Sequence, residues 1–177
     1  MHNSPYGRTS FFSFVFAGLS SMSFEAARAQ LERCGLADRI LEFDAGSTAT
    51  VALAAQKIGC SPEHIAKSVA LLTPEGPIVI VTAGDAKIDN KKFKAQFHTK
   101  AKMVAPDVVE SLVGHAPGAV SPFGVKPEVV VWLDGSLRRF ETVYPACGTA
   151  STGVRLSIEE LERAAAPAGW VDVTKLG

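Results

Sequence analysis

The chain lacks the short motifs that mark most enzyme classes. It has no G-x-G-x-x-G and no G-K-[ST], the glycine loops that cradle dinucleotides and nucleotide phosphates. It has no G-x-S-x-G. Ser121 stands in A-V-S-P-F, without the strand–turn–helix setting of a nucleophile elbow. Its four histidines (His2, His64, His98 and His115) are scattered, without metal-ligand spacing. There are three cysteines, Cys34, Cys60 and Cys147, an odd number with no C-x-x-C pair. That argues against a disulfide framework and a zinc site, and reads as thiols in a reducing cytoplasm. Formal net charge is zero, so no global field points to a polyanion. No apolar run is long enough to span a membrane. Repeats, low-complexity tracts, heptads and an interdomain linker are also missing. The default expectation is a site that needs neither cofactor nor metal. His115 reads as a solvent-facing residue.

What is present is a chain of 177 residues, 47% hydrophobic and 20% charged. That suits one globular domain with a sizeable core. Residues 1–22 differ from the rest. An apolar run over 11–19 resembles a weak export signal but has no clear cleavage site. We expect an extension from an upstream start codon, with export as the alternative, and the domain proper over 23–177. Ser23 is a good N-cap for a helix whose Phe24, Ala27, Leu31 and Cys34 share a face. Further helices are expected over 51–58 behind an N-cap at Thr50, from Ser61-Pro62-Glu63 to near Lys67, over 90–97 behind Asp89, and over 107–113 before Gly114. Ser157 and Glu160 form a capping box for the last one. Strands are expected over 40–44, 68–72, 78–83, 129–133, 142–144, 154–156 and 170–173, with a weaker one at 103–104. The pair at 68–83 reads as a hairpin with a four- or five-residue loop. Helices and strands interleave without a regular βαβ beat. The expected class is α+β, a mixed, mostly antiparallel sheet surrounded by helices.

Three features can carry chemistry. Residues 114–124, G-H-A-P-G-A-V-S-P-F-G, hold three Gly and two Pro. Such a loop can be stiff and still let its backbone approach a ligand. Lys67, in H-I-A-K-S-V-A-L-L at a helix-to-strand junction, reads either as a snorkelling lysine or as a fixed positive charge for an oxyanion. Residues 87–102 contain six of the eighteen Lys and Arg but one acid, Asp89. That run is either a solvated face or a contact for a phosphate backbone, with Phe93 and Phe97 packing inward.

Taken in order, I-A-K-S-V-A-L-L, G-D-A-K-I-D-N-K-K-F, the Gly/Pro loop, V-V-V-W-L-D and the turn at Cys147-Gly148-Thr149 resemble the YbaK/ProX family of aminoacyl-tRNA deacylases. That family is similar to the editing insertion domain of bacterial prolyl-tRNA synthetases. The resemblance covers about residues 23–173. It implies a trans-editing hydrolase that cleaves the ester of mischarged aminoacyl-tRNA without cofactor or metal, in the cytoplasm and off the membrane. It implies Lys67 as the catalytic electrostatic clamp. Thr50, Gly114, Pro117, Gly118, Ser121, Pro122 and Gly148 would line the substrate pocket, and a substrate ribose hydroxyl would assist proton transfer. Lys91, Lys92 and Lys94 would meet the acceptor end of the tRNA, with a synthetase as a further possible partner. A small pocket would admit Ala, Ser, Thr or Cys. The other reading is a non-catalytic module that binds tRNA or associates with a synthetase.

Overall fold

Two β-branched runs either side of Pro74 form the centre of the computed structural model, which describes residues 11–177 and side chains from Met22 onward. In chain order the elements are α1 (Phe11–Arg33), β1 (Ile40–Glu42), α2 (Val51–Ile58), β2 (Ile65–Thr73), β3 (Gly76–Ala83), β4 (Ala86–Ile88), α3 (Asn90–Phe97), α4 (Pro106–Val113), β5 (Val130–Asp134), β6 (Thr142–Pro145), β7 (Thr152–Val154), β8 (Leu156–Ser157), α5 (Ile158–Ala165), β9 (Gly169–Val171) and β10 (Thr174–Leu176). Six strands make one sheet, in the order β8-β6-β2-β3-β5-β9, and β1–β7 and β10–β4 form two-stranded ribbons. Among the described residues four of the seven ladders are antiparallel, so the mixed α+β sheet expected from the sequence is what forms.

The two faces of this sheet do different work. Ala66, Ala70, Val79, Val81, Val131 and Leu133 face a core completed by Ala27 and Leu31 of α1, Val109 and Val113 of α4, and Leu161 of α5. Burying each of the larger side chains contributes roughly 1.5–3 kcal/mol. On the other face Val69, Leu71, Ile78 and Ile80 meet Phe93 and Phe97 of α3. Ile65 meets Ala54 and Ala55 of α2. Lys67 lies between these two patches along β2, opposite Thr82 of β3. Strand alternation puts it on the face with α2 and α3.

Four local expectations change. Ser23 does not start a helix: α1 already spans Phe11–Arg33, and the Ser23 hydroxyl donates instead to the Gly148 carbonyl (2.7 Å). Of the expected extension over 1–22, residues 1–10 lie outside the described residues and 11–22 are part of α1. The hairpin turn is two residues, Pro74-Glu75, because the ladder runs on to Thr73↔Gly76 and Thr73 Oγ1 donates to the Gly76 carbonyl (3.0 Å). The helix after Ser61 is only a 3-10 turn, Pro62–His64. Pairing of Ile65 with Tyr144 and of Ala66 with Pro145 draws the chain into the sheet from Ile65 onward. Lys67 is therefore inside a strand and not at a helix end. The expected strand over 154–156 is two short ones, β7 on β1 and β8 on β6.

Candidate functional site

The apolar face of α2 does not close fully on the sheet. Thr50 caps the helix, its hydroxyl accepting from Leu53 N (3.2 Å), and Gly59 ends it in the left-handed conformation. Between this helix, the segment 48–51, β2, β6 and the loop at Gly118 is a cleft of about 160 Å³. Its apolar wall is Val51, Ala54, Ile58 and Ile65, and its hydroxyl-bearing residues include Thr48, Ser68, Tyr144 and Thr152. Among the described residues Lys67 is the one charged residue in the lining. The Thr48 and Ser68 hydroxyls are buried with no hydrogen-bond partner among the described residues. The Thr152 hydroxyl is already paired with that of Thr149 (2.9 Å). Among the described residues no three of His, Cys, Asp or Glu gather as a metal would require.

Lys67 is half-buried, and its Nζ donates to the Ala86 carbonyl (2.7 Å). Burial pushes its pKa below the ordinary lysine value, the nearby Lys87 ammonium pushes the same way, and Asp85 pulls it back up. Asp85 is itself held by Arg139, which keeps its carboxyl below the usual range. Lys67 thus brings an N–H donor to a lining that also includes hydroxyl-bearing residues. Among the described lining residues there is no carboxylate, imidazole or thiol to act as base or nucleophile.

The structure brings some of the sequence candidates to the cleft and leaves others outside it. Thr50 and Gly118 line it with Lys67, as does the rest of the segment 48–51. Gly118 has φ of +78°, a conformation side chains resist, and lies against Ala49. Gly114 ends α4, its N–H bonded to the Glu110 carbonyl (2.9 Å), and lies by Lys126. Pro117 is exposed on the loop and Pro122 is buried, neither in the lining. Ser121 is fully buried and fastens the loop: its hydroxyl donates to the Ala146 carbonyl (2.7 Å) and accepts from Phe123 N (3.1 Å). Ala146 lines the cleft, so Ser121 joins two of its walls from behind. A Cβ at Gly148 would stand 2.6 Å from the Ser23 carbonyl oxygen, so this glycine allows close approach to α1.

His115 is a correction. It is fully buried, not solvent-facing, because it follows the helix end at Gly114 into the core. Neither ring nitrogen has a hydrogen-bonding partner of good geometry. Burial pushes its pKa down and the nearby Phe123 backbone offsets this in part. Cys147 is likewise fully buried, its thiol pushed up to about 12, so it is no nucleophile at neutral pH.

The basic segment forms α3. Asp89 caps it, accepting from the backbone N–H groups of Lys91 (2.9 Å) and Lys92 (3.0 Å). Lys91 and Lys94 are exposed. Lys92 is committed elsewhere, donating to Asp172 Oδ1 and the Thr174 carbonyl (2.8 Å each). The resemblance also implies the stretch 48–51 at the pocket, and Thr48 lines it. Sequence reasoning missed Ser68, Tyr144 and Thr152 because single hydroxyls in strands and loops carry no spacing signal. It also missed Asp134, which is fully buried and accepts from Ser136 N, Val173 N and the Thr174 hydroxyl. A buried Asp ending a run of V-V-V-W-L was the available hint.

Known proteins resemble this chain in sequence and in fold. The family model of the aminoacyl-tRNA editing domain matches residues 45–164. The protein YwhH of Bacillus subtilis (strain 168) is 42% identical over 156 residues, which is 87% of this chain and 98% of its own length. A proline–tRNA ligase of Shouchella clausii (strain KSM-K16) is 27% identical over 105 residues, 59% of this chain and 18% of the ligase. A solved structure described as a candidate trans-editing enzyme for prolyl tRNA synthetase superposes with a TM-score of 0.77 at 26% identity. It covers 86% of this chain and 97% of its own.

Proposed function

The chain belongs to the aminoacyl-tRNA editing domain family, and on that premise we propose that it hydrolyses the ester of mischarged aminoacyl-tRNA in trans. The observation that carries this is the cleft itself: one lysine, held by the Ala86 carbonyl, facing a small space edged by unpaired hydroxyls. An aminoacyl ester is already activated, so catalysis needs position and charge stabilisation more than a strong nucleophile. Water adds to the ester carbonyl, and the bond from carbonyl carbon to ribose oxygen breaks. The proton lost by water ends on the released ribose hydroxyl. Lys67 stabilises the negative charge that develops on the carbonyl oxygen. The Thr48 and Ser68 hydroxyls orient the water or the amino-acid part. Thr50 and Gly118 border the same space, while Gly114, Pro117, Ser121, Pro122 and Gly148 act by fixing the loop and the turn behind it.

A cleft of about 160 Å³ with an apolar wall favours a small amino acid such as Ala, Ser, Thr or Cys. The exposed Lys91 and Lys94 suit the phosphates of the acceptor end, with Lys92 anchoring their helix. A panel of aminoacyl-tRNAs charged with different amino acids, incubated with the pure protein, tests the proposal. Release of one or a few small amino acids is expected, and Lys67→Ala should slow it by about 10²–10³-fold in a folded protein. Salt-sensitive binding with no cleavage of any ester would establish the non-catalytic module in its place.

A further inference from the structure

We propose that Asp85 and Arg139 form a positioning pair that aims the Lys67 ammonium at the cleft. The inference rests on Lys67 being the clamp and asks what keeps its charge in place. The Ala86 carbonyl that receives Nζ belongs to a buried residue directly after the Gly84-Asp85 turn. Where that turn goes, the carbonyl goes, and the lysine head with it. The turn is fastened to the 3-10 segment Gly135–Arg139 in two places. Ala83 N donates to Ser136 Oγ (3.0 Å), and both terminal nitrogens of Arg139 reach the Asp85 carboxylate, NH1 at 3.1 Å from Oδ2. The guanidinium is itself restrained. Its Nε donates to the Ser136 carbonyl (3.0 Å), and its Cζ lies 4.7 Å from the centroid of the Phe140 ring, whose centroid is in turn 4.4 Å from that of His64. A two-pronged fork of this kind fixes direction as well as distance.

Asp85 also acts on the charge of Lys67, after burial and Lys87. The groups that act on that ammonium are Asp85 and Lys87 around the Ala86 carbonyl, with Tyr144 of β6 also lining the cleft. The cleft wall from α2 (Val51, Ala54 and Ile58) adds no ionisable group. Glu63 is felt by Arg139. Asp85 is the attractive neighbour of Lys67, yet its stronger partner is Arg139, with Lys67 the least of the influences on its carboxyl. Arg139 thus occupies a carboxylate that would otherwise draw Lys67 away from the cleft. Losing Arg139 should do two things together: loosen the turn and hand Asp85 to Lys67.

Two readouts test this on the full-length protein. The first is the titration of Lys67, followed by NMR of the lysine 13Cε signals and assigned by the signal missing in Lys67→Ala. It needs no activity. Arg139→Ala should shift that titration upward, and Asp85→Asn/Arg139→Ala should return it to or below the wild-type position. The second is single-turnover deacylation across pH. Arg139→Ala should slow it about tenfold through misplacement of the charge, and the double variant should recover part of the loss. Asp85→Asn alone, a change at a partly exposed site, should lower the Lys67 titration and covers the case in which Arg139→Ala does not fold. An unmoved titration in both single variants, or a double variant no different from Arg139→Ala, overturns the pair. If the titrations move as expected but no ester is cleaved by any form, the pairing stands and the deacylase reading falls.

Discussion

Lys67 and His115 are both pushed toward their neutral forms by burial, yet the surroundings give the two residues opposite meanings. Lys67 stands on a strand between two apolar patches, reaches a backbone carbonyl, and opens on a cleft. Its charge has an acceptor already and room beside it for a second. His115 has only the partial pull of the Phe123 backbone, and its ring is fully buried. Desolvation alone therefore does not mark a functional residue. What separates the two is whether the charged form has something to act on.

The sharpest way to break this contrast is to remove each side chain and ask what is lost. Lys67→Ala should lower deacylation by about 10²–10³-fold, the range for deleting one donor to a developing oxyanion. Its thermal midpoint should stay near wild type, since Lys67 is desolvated at some cost in the folded state. A large drop in the thermal midpoint would instead make Lys67 a structural residue. The pH profile sharpens the point. Catalysis that needs the ammonium falls as pH rises through the Lys67 pKa, which is below 10.5. The enzymatic rate, after subtraction of spontaneous hydrolysis, should therefore decline before an ordinary lysine would titrate.

His115 predicts a smaller effect, on stability and at the other end of the pH scale. Its folded pKa lies below the 6.5 of the unfolded chain. Between the two values the unfolded state binds a proton that the folded state refuses. Stability is thus full above pH 6.5 and falls as pH drops below it. A series of urea melts from pH 8 to pH 5 should show that loss, and His115→Leu should flatten it. Because a buried unpaired polar group costs about 1–3 kcal/mol, the variant should also be somewhat more stable at pH 7. Unchanged acid sensitivity in His115→Leu would assign the effect to other groups.

Much of the fold was legible because its signals are local. The Thr50, Asp89 and Ser157 caps are side-chain bonds to the next turn. The β2–β3 runs declare themselves by β-branching. What was hidden depends on partners far away in the chain. β4 is a strand only because β10 pairs with it, and Ile65 leaves the helical turn only because Tyr144 waits in β6. The site divides in the same way. Lys67, Thr50 and Gly118 were named from the sequence and meet at one cleft. Nothing at Ser121 or Gly148 tells a reader of the sequence that one ties the loop to Ala146 and the other admits α1. A glycine that lets backbone approach a substrate and one that lets backbone approach a helix are spelled identically.

The smallest expected effect concerns α3, where neighbouring lysines differ as Lys67 and His115 do. Lys91 and Lys94 are exposed on the helix, whereas Lys92 is bonded to Asp172 and the Thr174 carbonyl at the far end of the chain. If the helix meets phosphates, Lys91→Ala and Lys94→Ala should each weaken tRNA binding a few-fold. Each should also reduce the slope of log affinity against log salt by about one. Lys92→Ala should leave that slope nearer its wild-type value and act instead on the attachment of β10, seen as faster amide exchange over residues 172–176. Equal slopes in all three variants would mean that the salt bridge opens to release Lys92 when tRNA binds. Unchanged slopes throughout would move the acceptor stem off this helix altogether.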